Sequence, residues 1–232
     1  MAETSPGSPR GIRRRALIDL EALATRLLDS GIDALDARAD AYGHGWELVA
    51  PVARAVGITA VLVSDEGAAR PARAAGFTEV RVGRLPAPDA DAVAAAYGLT
   101  GPRPVLTVAG ELLAVKRVPA GAGVSYGYTH RTSAPTALGL VGLGYADGIP
   151  RLASNRAELA IDGIRYRLVG RIAMDQLVVE LGDATPPIGA EVVAFGDPAQ
   201  GAPSVAEWAA WTERAPHALT AGLGPRLRRE PR

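Results

Sequence analysis

The hydrophobic rhythm of the chain changes near residues 98–104, and this change limits the folds that the chain can adopt. Before it, short apolar runs alternate with segments of helical period, as where residues 16–18 precede a helix that starts at residue 20. The resulting βαβαβαβ order predicts a parallel α/β layer over residues 16–100. After the change, short apolar segments separated by Gly and Pro turns predict an antiparallel β domain over residues 104–229.

The apolar pattern also predicts the individual elements. The predicted strands cover residues 16–18, 32–37, 58–63, 79–82, 104–108, 112–118, 136–143, 158–161, 164–169, 176–181 and 191–195, and helices are predicted at 46–56 and 66–75. A capping box formed by Ser204 and Glu207 predicts a further short helix to Trp211. The arginine-rich stretch 225–232 is predicted to be a surface tail.

Charge and composition exclude several classes of protein. The 25 Lys and Arg residues are balanced by 25 Asp and Glu residues, so the chain lacks the net cationic surface that nonspecific nucleic-acid binding needs. No apolar run approaches the roughly 20 residues of a membrane helix. Residues 1–15 contain no apolar h-region and are not a secretory signal. We therefore expect a disordered tail over residues 1–15, a cytoplasmic protein, and no membrane or nucleic-acid partner.

The sequence contains few cysteine, lysine and histidine side chains that can act as nucleophiles or bases. The sequence has no cysteine, which excludes disulfides, thiolate metal sites and cysteine nucleophiles. Its single lysine is Lys116, so a lysine base or Schiff base requires this residue or a partner's lysine. His44 is predicted to be a loop hydrogen-bonding residue, and His130 and His217 are too isolated for a metal site, so no metal is predicted.

Several local motifs follow one another in a characteristic order. They are RADAYGHG at residues 38–45, VSYG at 124–127, GYADG at 144–148, GRIAMDQ at 170–176 and LGPR at 223–226. Together they resemble the alanine racemase family, over residues 16–85 and 104–229. The resemblance implies a pyridoxal phosphate (PLP) barrel, followed by a β domain that reaches into the active site of a second subunit.

The resemblance also assigns roles to residues of this chain. It implies that Tyr126 is the catalytic tyrosine, a base on one face of the substrate, with a PLP-anchoring lysine on the other face. It implies that Tyr145 narrows the substrate entrance and that the Met174 backbone contacts the substrate carboxylate, with Asp175 beside it. Tyr42 is implied to form part of the wall of the active site, on the cofactor side.

The chain departs from the family pattern in its first half. The position of the PLP lysine is occupied by Arg38, whose guanidinium stays protonated and forms no imine. The phosphate-binding tyrosine of the family is replaced by His217 or Pro216. An eight-stranded α/β barrel needs on the order of 200–250 residues, which is far more than residues 16–100 provide. We therefore expect a truncated, partly TIM-barrel-like α/β segment followed by an intact β domain.

Three functional hypotheses follow, and the sequence leaves all of them open. The first is an alanine racemase-like PLP enzyme acting on an amino acid, degenerate because Arg38 replaces the lysine. The second is a repurposed, PLP-independent acid/base enzyme acting on an amino-acid-derived metabolite, with Tyr126, Asp147, Asp175 and Arg38 in one pocket. The third is a non-catalytic partner that completes the active site of a full-length racemase. All three favour an oligomer, either a homodimer or a heterodimer with a full-length racemase.

Overall fold

A computed structural model describes residues 11–83 and 90–232 of the chain. The prediction of a disordered tail falls partly on residues 1–10, which lie outside the described residues. The strands are β1 (Arg14–Ile18), β2 (Ala34–Asp36), β3 (Ala60–Val63), β4 (Glu79–Val82), β5 (Leu106–Val118), β6 (Gly123–Val124), β7 (His130–Arg131), β8 (Thr136–Val141), β9 (Glu158–Ile161), β10 (Ile164–Leu168), β11 (Leu177–Gly182), β12 (Glu191–Phe195) and β13 (Arg228–Pro231). The helices are α1 (Leu20–Asp29), α2 (Arg38–Tyr42), α3 (Trp46–Ala55), α4 (Glu66–Ala74), α5 (Ala90–Ala96), α6 (Val205–Thr212) and α7 (Pro216–Ala221).

The first half contains the predicted parallel layer. Strands β2, β3 and β4 pair side by side in that order, with Leu35 opposite Val61 and Val61 opposite Val80. Every residue of β3 is buried, as expected for the central strand of a parallel sheet covered on both faces. Helices lie between the strands along the chain, so the α/β class predicted from the apolar rhythm is confirmed.

The second half closes into an antiparallel barrel. Strands β5, β8, β11, β10, β9 and β12 follow one another round a ring, and β12 pairs again with β5 to complete it. The interior is filled by residues that alternate along the strands, including Leu159 and Val179, both fully buried. The antiparallel β domain predicted from the turn-punctuated segments is confirmed, and we call it the β barrel.

Four local predictions are corrected by the strands and their pairings. The strand predicted at 16–18 does not join the parallel layer, because β1 pairs antiparallel with β5 and parallel with β13. Arg14 and Arg15 therefore belong to a strand and not to a disordered tail. The predicted surface tail 225–232 contains β13, which adds to the sheet beside β1. The strands predicted at 104–108 and 112–118 form one continuous strand, β5.

Local sequence explains where the helices begin. Asp19 accepts a hydrogen bond from the Ala22 N–H and caps α1, and Asp65 caps α4 through the Ala68 N–H. The capping box predicted at Ser204 and Glu207 is present at the start of α6. No helix within residues 11–83 and 90–232 combines the length and the apolar character that crossing a bilayer requires.

Candidate functional site

A buried carboxylate at the end of β2 forms an ion pair with Arg38. Asp36 is fully buried, and its Oδ1 and Oδ2 lie 2.8 Å and 2.5 Å from Nε and Nη2 of Arg38. Tyr42 donates its hydroxyl to Asp36 Oδ2 at 3.1 Å, and the Tyr97 hydroxyl donates to the Asp36 carbonyl at 2.6 Å. We call Asp36, Arg38, Tyr42 and Tyr97 the β2-end cluster. The paired charges raise the pKa of Arg38, chiefly through its hydrogen bonds to Asp36.

The backbone of α2 is unusual because most of its residues adopt the left-handed helical conformation, which L-residues rarely adopt. Residues 39–42 all have φ between 52° and 56°, so this turn is left-handed. Gly43 follows it, packed so closely on α7 that an added Cβ would lie 1.9 Å from the Thr220 carbonyl oxygen. His44 is completely buried, and its ring packs against the Tyr97 ring at an interplanar angle of 43°, with the ring centroids 4.9 Å apart. The motif at residues 38–45 is thus fixed against α7 and Tyr97.

The β2-end cluster does not fit covalently bound PLP. The group that must form the imine is replaced by a guanidinium, whose Nε and Nη2 both donate to the Asp36 carboxylate. Burial is the main cause of the raised pKa of Tyr42, and Asp36 adds to it, which keeps this phenol protonated. The His217 ring lies edge-on to the Tyr42 ring, with the ring centroids 6.3 Å apart. From the sequence, His217 is one of two residues that could replace the phosphate-binding tyrosine.

A second group of predicted site residues lies on the surface of the β barrel. Strands β6 and β7 form a hairpin whose tip is a 3-10 turn carrying Tyr126, which is 71% exposed. Its ring borders a groove of about 470 Å³ that Arg171, Ala173 and Gln176 also line. The structure therefore places Tyr126 beside the loop that carries Met174 and Asp175.

The turns that carry Tyr145 and Met174 are joined through their backbones. The Tyr145 N–H donates to the Ala173 carbonyl at 3.1 Å, and the Ala146 N–H donates to the Met174 carbonyl at 3.0 Å. Gly144 permits this approach, because a Cβ there would lie 2.2 Å from the Met174 carbonyl oxygen. The Tyr145 and Met174 side chains remain 41% and 53% exposed. We call Tyr126, Tyr145, Met174 and Asp175 the barrel half-site.

Asp147 anchors these turns from beneath. Its side chain is fully buried; Oδ2 accepts from the Gly144 N–H at 2.8 Å and lies 3.2 Å from Nε of Arg14. Its Oδ1 lies 3.2 Å from Nε of Arg226, whose Nη1 pairs with Asp175 at 2.5 Å. Burial raises the pKa of Asp147, although the Gly144 N–H and the two arginines oppose that shift. This carboxylate is therefore a structural centre and not an exposed acid.

By their contacts, the predicted site residues fall into two groups. Within residues 11–83 and 90–232, no hydrogen bond, ion pair or ring contact directly joins the β2-end cluster to the barrel half-site. Lys116 lies exposed on β5, in register with Leu138, and contacts neither group. The described His, Asp and Glu side chains contain no group of three suited to a metal ion.

Sequence reasoning missed two residues that organise these groups. Asp36 lies in a predicted strand two residues before Arg38, and a carboxylate that a strand buries needs a charged partner, which was a usable signal. Arg14 lies in a stretch rich in Gly, Pro and Arg, where no local pattern shows that it reaches Asp147.

Comparison with known proteins places this arrangement in a context. The family model described as "Alanine racemase, C-terminal domain" matches residues 105–231. The alanine racemase of Streptomyces coelicolor is 47% identical over 129 residues, which cover 56% of this chain and 33% of that protein. The match therefore spans about a third of the relative's length.

Solved structures extend the likeness beyond the β barrel. The structure of alanine racemase from Streptomyces coelicolor A3(2) aligns with a TM-score of 0.80 and 26% identity, over 94% of this chain and 98% of that chain. The Bartonella henselae alanine racemase, with covalently bound pyridoxal phosphate, aligns with a TM-score of 0.80 and 17% identity, over 95% and 99%. The second likeness is one of fold alone.

Proposed function

Because the chain belongs to the alanine racemase family, we propose that it serves as a partner subunit that lends its barrel half-site to a full-length racemase. The observation that carries the proposal is the contrast between the two groups. The barrel half-site presents Tyr126 to solvent, whereas the β2-end cluster holds Arg38 in an ion pair at the position of the PLP lysine. The chain is equipped to give a tyrosine, and not to hold the cofactor itself.

Three residues of the barrel half-site have a defined task in this proposal. The Tyr126 phenol carries and accepts the proton on one face of an amino-acid substrate. The Met174 backbone N–H meets no acceptor within residues 11–83 and 90–232 and is available to the substrate carboxylate. Tyr145 narrows the substrate entrance, and the Arg151 guanidinium lies 5.6 Å from the centre of its ring and holds it by a cation–π contact. PLP, bound by the full-length subunit, supplies the electron sink.

The two other hypotheses receive less support from the geometry. A self-sufficient PLP racemase requires a lysine in the site, and Lys116 lies exposed on β5 away from both groups. A repurposed pocket uniting Arg38, Asp147 and Tyr126 requires free charges. Arg38 is instead neutralised by Asp36, and Asp147 is buried between two arginines.

Complementation tests the proposal directly. The acceptor is a full-length alanine racemase whose own tyrosine, matched to Tyr126, is replaced by phenylalanine. We expect this chain to co-elute with the acceptor and to restore the interconversion of L- and D-alanine. We expect Tyr126→Phe in this chain to reduce the restored rate by on the order of 10²–10⁴-fold, the usual contribution of a positioned acid or base.

Two controls make the result decisive. Tyr166→Phe, on β10 and outside the barrel half-site, should restore the rate as well as the unchanged chain does. The isolated chain, with and without added PLP, should exchange no α-proton of alanine in deuterated water. The proposal is wrong if the chain and the acceptor elute separately, if Tyr126→Phe restores the full rate, or if the isolated chain catalyses exchange.

A further inference from the structure

The residue before Tyr126 has a backbone conformation that serine rarely adopts. Ser125 has φ 58° and ψ −164°, a region occupied almost only by glycine. The strain extends to Tyr128, whose φ is 48°, whereas Gly127 adopts its φ of 68° without steric cost. A strained conformation persists only where the surrounding structure imposes it. The contacts around Ser125 therefore require an explanation.

Hydrogen bonds hold the Tyr126 turn at both ends. At the first end, the Ser125 hydroxyl donates to the Arg171 carbonyl at 2.5 Å. At the other end, Asn155 Nδ2 donates to the Thr129 hydroxyl at 3.2 Å, and Asn155 Oδ1 accepts from the Gly170 N–H at 2.6 Å. Asn155 itself has a left-handed φ of 61°. One asparagine thus ties the hairpin tip to the loop at residues 169–176.

The turn held in this way carries exposed side chains. Tyr128 is 61% exposed, with the Arg131 guanidinium 5.6 Å from its ring centre, and the more exposed Tyr126 borders the groove beside Arg171. Packing of the Tyr128 ring on Gly123, where an added Cβ would lie 2.3 Å from the ring, helps to hold the turn, but it does not explain why the turn presents Tyr126 to solvent. Preorganisation for a contact outside the chain does, because a group fixed in advance loses less freedom when it binds.

We propose that Ser125 and Asn155 are positioning residues that preorganise Tyr126 for the active site of the partner. The proposal rests on the function proposed above and deepens it. Ser125 fixes where the Tyr126 turn starts, and Asn155 fixes where it ends. Neither side chain touches the substrate, so both act through the position of the Tyr126 phenol.

The strain itself is tested by a pair of substitutions at one position. At ordinary positions alanine is more stable than glycine, because glycine gains more freedom on unfolding. At Ser125 we expect the reverse, so Ser125→Gly should melt at a higher temperature than Ser125→Ala. Ser64, which is exposed and has no positive φ, supplies the control pair, in which the alanine variant should melt at the same or a higher temperature. An alanine variant of Ser125 that melts above the glycine variant overturns the strain argument.

Positioning is tested with Thr129→Val, which removes only the acceptor for Asn155 and lies at an exposed position. In the complementation assay we expect kcat to fall by about tenfold or more, since small misplacements of a reacting group are costly. Co-elution and KM should stay unchanged. A purely structural role predicts a lower melting temperature with unchanged kcat, and that result overturns the proposal.

A readout that needs no racemase separates this proposal from the proposed function. In the isolated chain with ¹³C-labelled tyrosine rings, the Tyr126 signal, assigned with Tyr126→Phe, should show one ordered environment. In Thr129→Val and in Asn155→Ala, the Tyr126 signal should broaden, or its chemical shift should move towards the value averaged over several conformations. If the unchanged chain fails to complement yet this change occurs, the positioning stands and only the partner function fails. An unchanged Tyr126 signal in both variants overturns the positioning.

Discussion

Lowering the pH should destabilise the chain through His44, before most carboxylates titrate. The ring is completely buried in the loop after α2. Its Nδ1 lies 3.2 Å and 3.0 Å from the carbonyls of Ala41 and Tyr42, and its Nε2 lies 3.2 Å from the carbonyl of Tyr97. Burial lowers the pKa of His44 from 6.5 to about 4, although the three carbonyls oppose this shift.

The sign and size of the effect follow from the two pKa values. Because the folded pKa lies below the unfolded one, the unfolded chain binds the proton more readily, and stability is lost as the pH falls below about 6.5. Between pH 8 and pH 5 the loss is about 2 kcal/mol. It approaches a limit of about 3.4 kcal/mol below pH 4, from 2.5 pKa units at 1.36 kcal/mol each.

The assay is urea unfolding at pH 8, 7, 6 and 5, with the unchanged chain and with His44→Asn. The asparagine amide can still donate to the Tyr42 carbonyl but does not titrate, so between pH 8 and pH 5 this variant should lose about 2 kcal/mol less than the unchanged chain loses, even if it is less stable throughout. His217→Asn, at an exposed position, should keep the slope of the unchanged chain.

Two results would refute this reasoning. One is an equal loss of stability in the unchanged chain and in His44→Asn between pH 8 and pH 5. The other is a direct NMR titration in which the His44 ring of the folded chain gains its proton near pH 6.5. The titration also decides the matter if His44→Asn does not fold, because it needs only the unchanged protein.

Two further substitutions test the packing of the two groups. In thermal unfolding, Gly43→Ala should destabilise the chain by more than about 4 kcal/mol, because its Cβ would lie 1.9 Å from the Thr220 carbonyl oxygen. The control is Gly57→Ala, where φ is also positive but the space around the new Cβ is open, and it should cost about 1 kcal/mol. Asp147→Ala should cost about 3–5 kcal/mol in urea unfolding, because it leaves two guanidiniums without their buried partner. Asp183→Ala, which removes a 95% exposed carboxylate, should leave the unfolding free energy unchanged.

The elements with strong local signals were predictable. Short apolar segments bounded by turn residues predicted β9, β12 and β4 at the same residues at which the structure has them. A capping box located the start of α6. These signals are local, because a strand's alternation or a helix cap is complete within a few residues.

The pairings and the β5 boundary were not predictable, because they depend on distant residues. Gly110 looks like a turn between two strands, yet β5 continues through it because the glycine accommodates the side chain of Leu143, which would lie 2.5 Å from an added Cβ. Strand β13 forms from a charged segment because β1 offers it a parallel edge. Arg14 becomes part of the site network only through that same strand.

The same pairings explain how a shortened α/β segment is compatible with an intact β barrel. Ile18 and Leu106 are antiparallel partners in β1 and β5, and the Asp19 N–H donates to the Val105 carbonyl at 2.9 Å. The residues between them therefore leave the barrel sheet and return to it at one place, as an insertion does. A segment whose ends are already adjacent can differ in length without moving the strands that flank it, since added or lost loop length changes the closure entropy only slowly. The network of Arg14, Asp147 and Arg226 lies wholly outside this segment. The barrel half-site is thus held by residues that a change in the α/β segment does not remove, whereas the β2-end cluster lies within the segment itself.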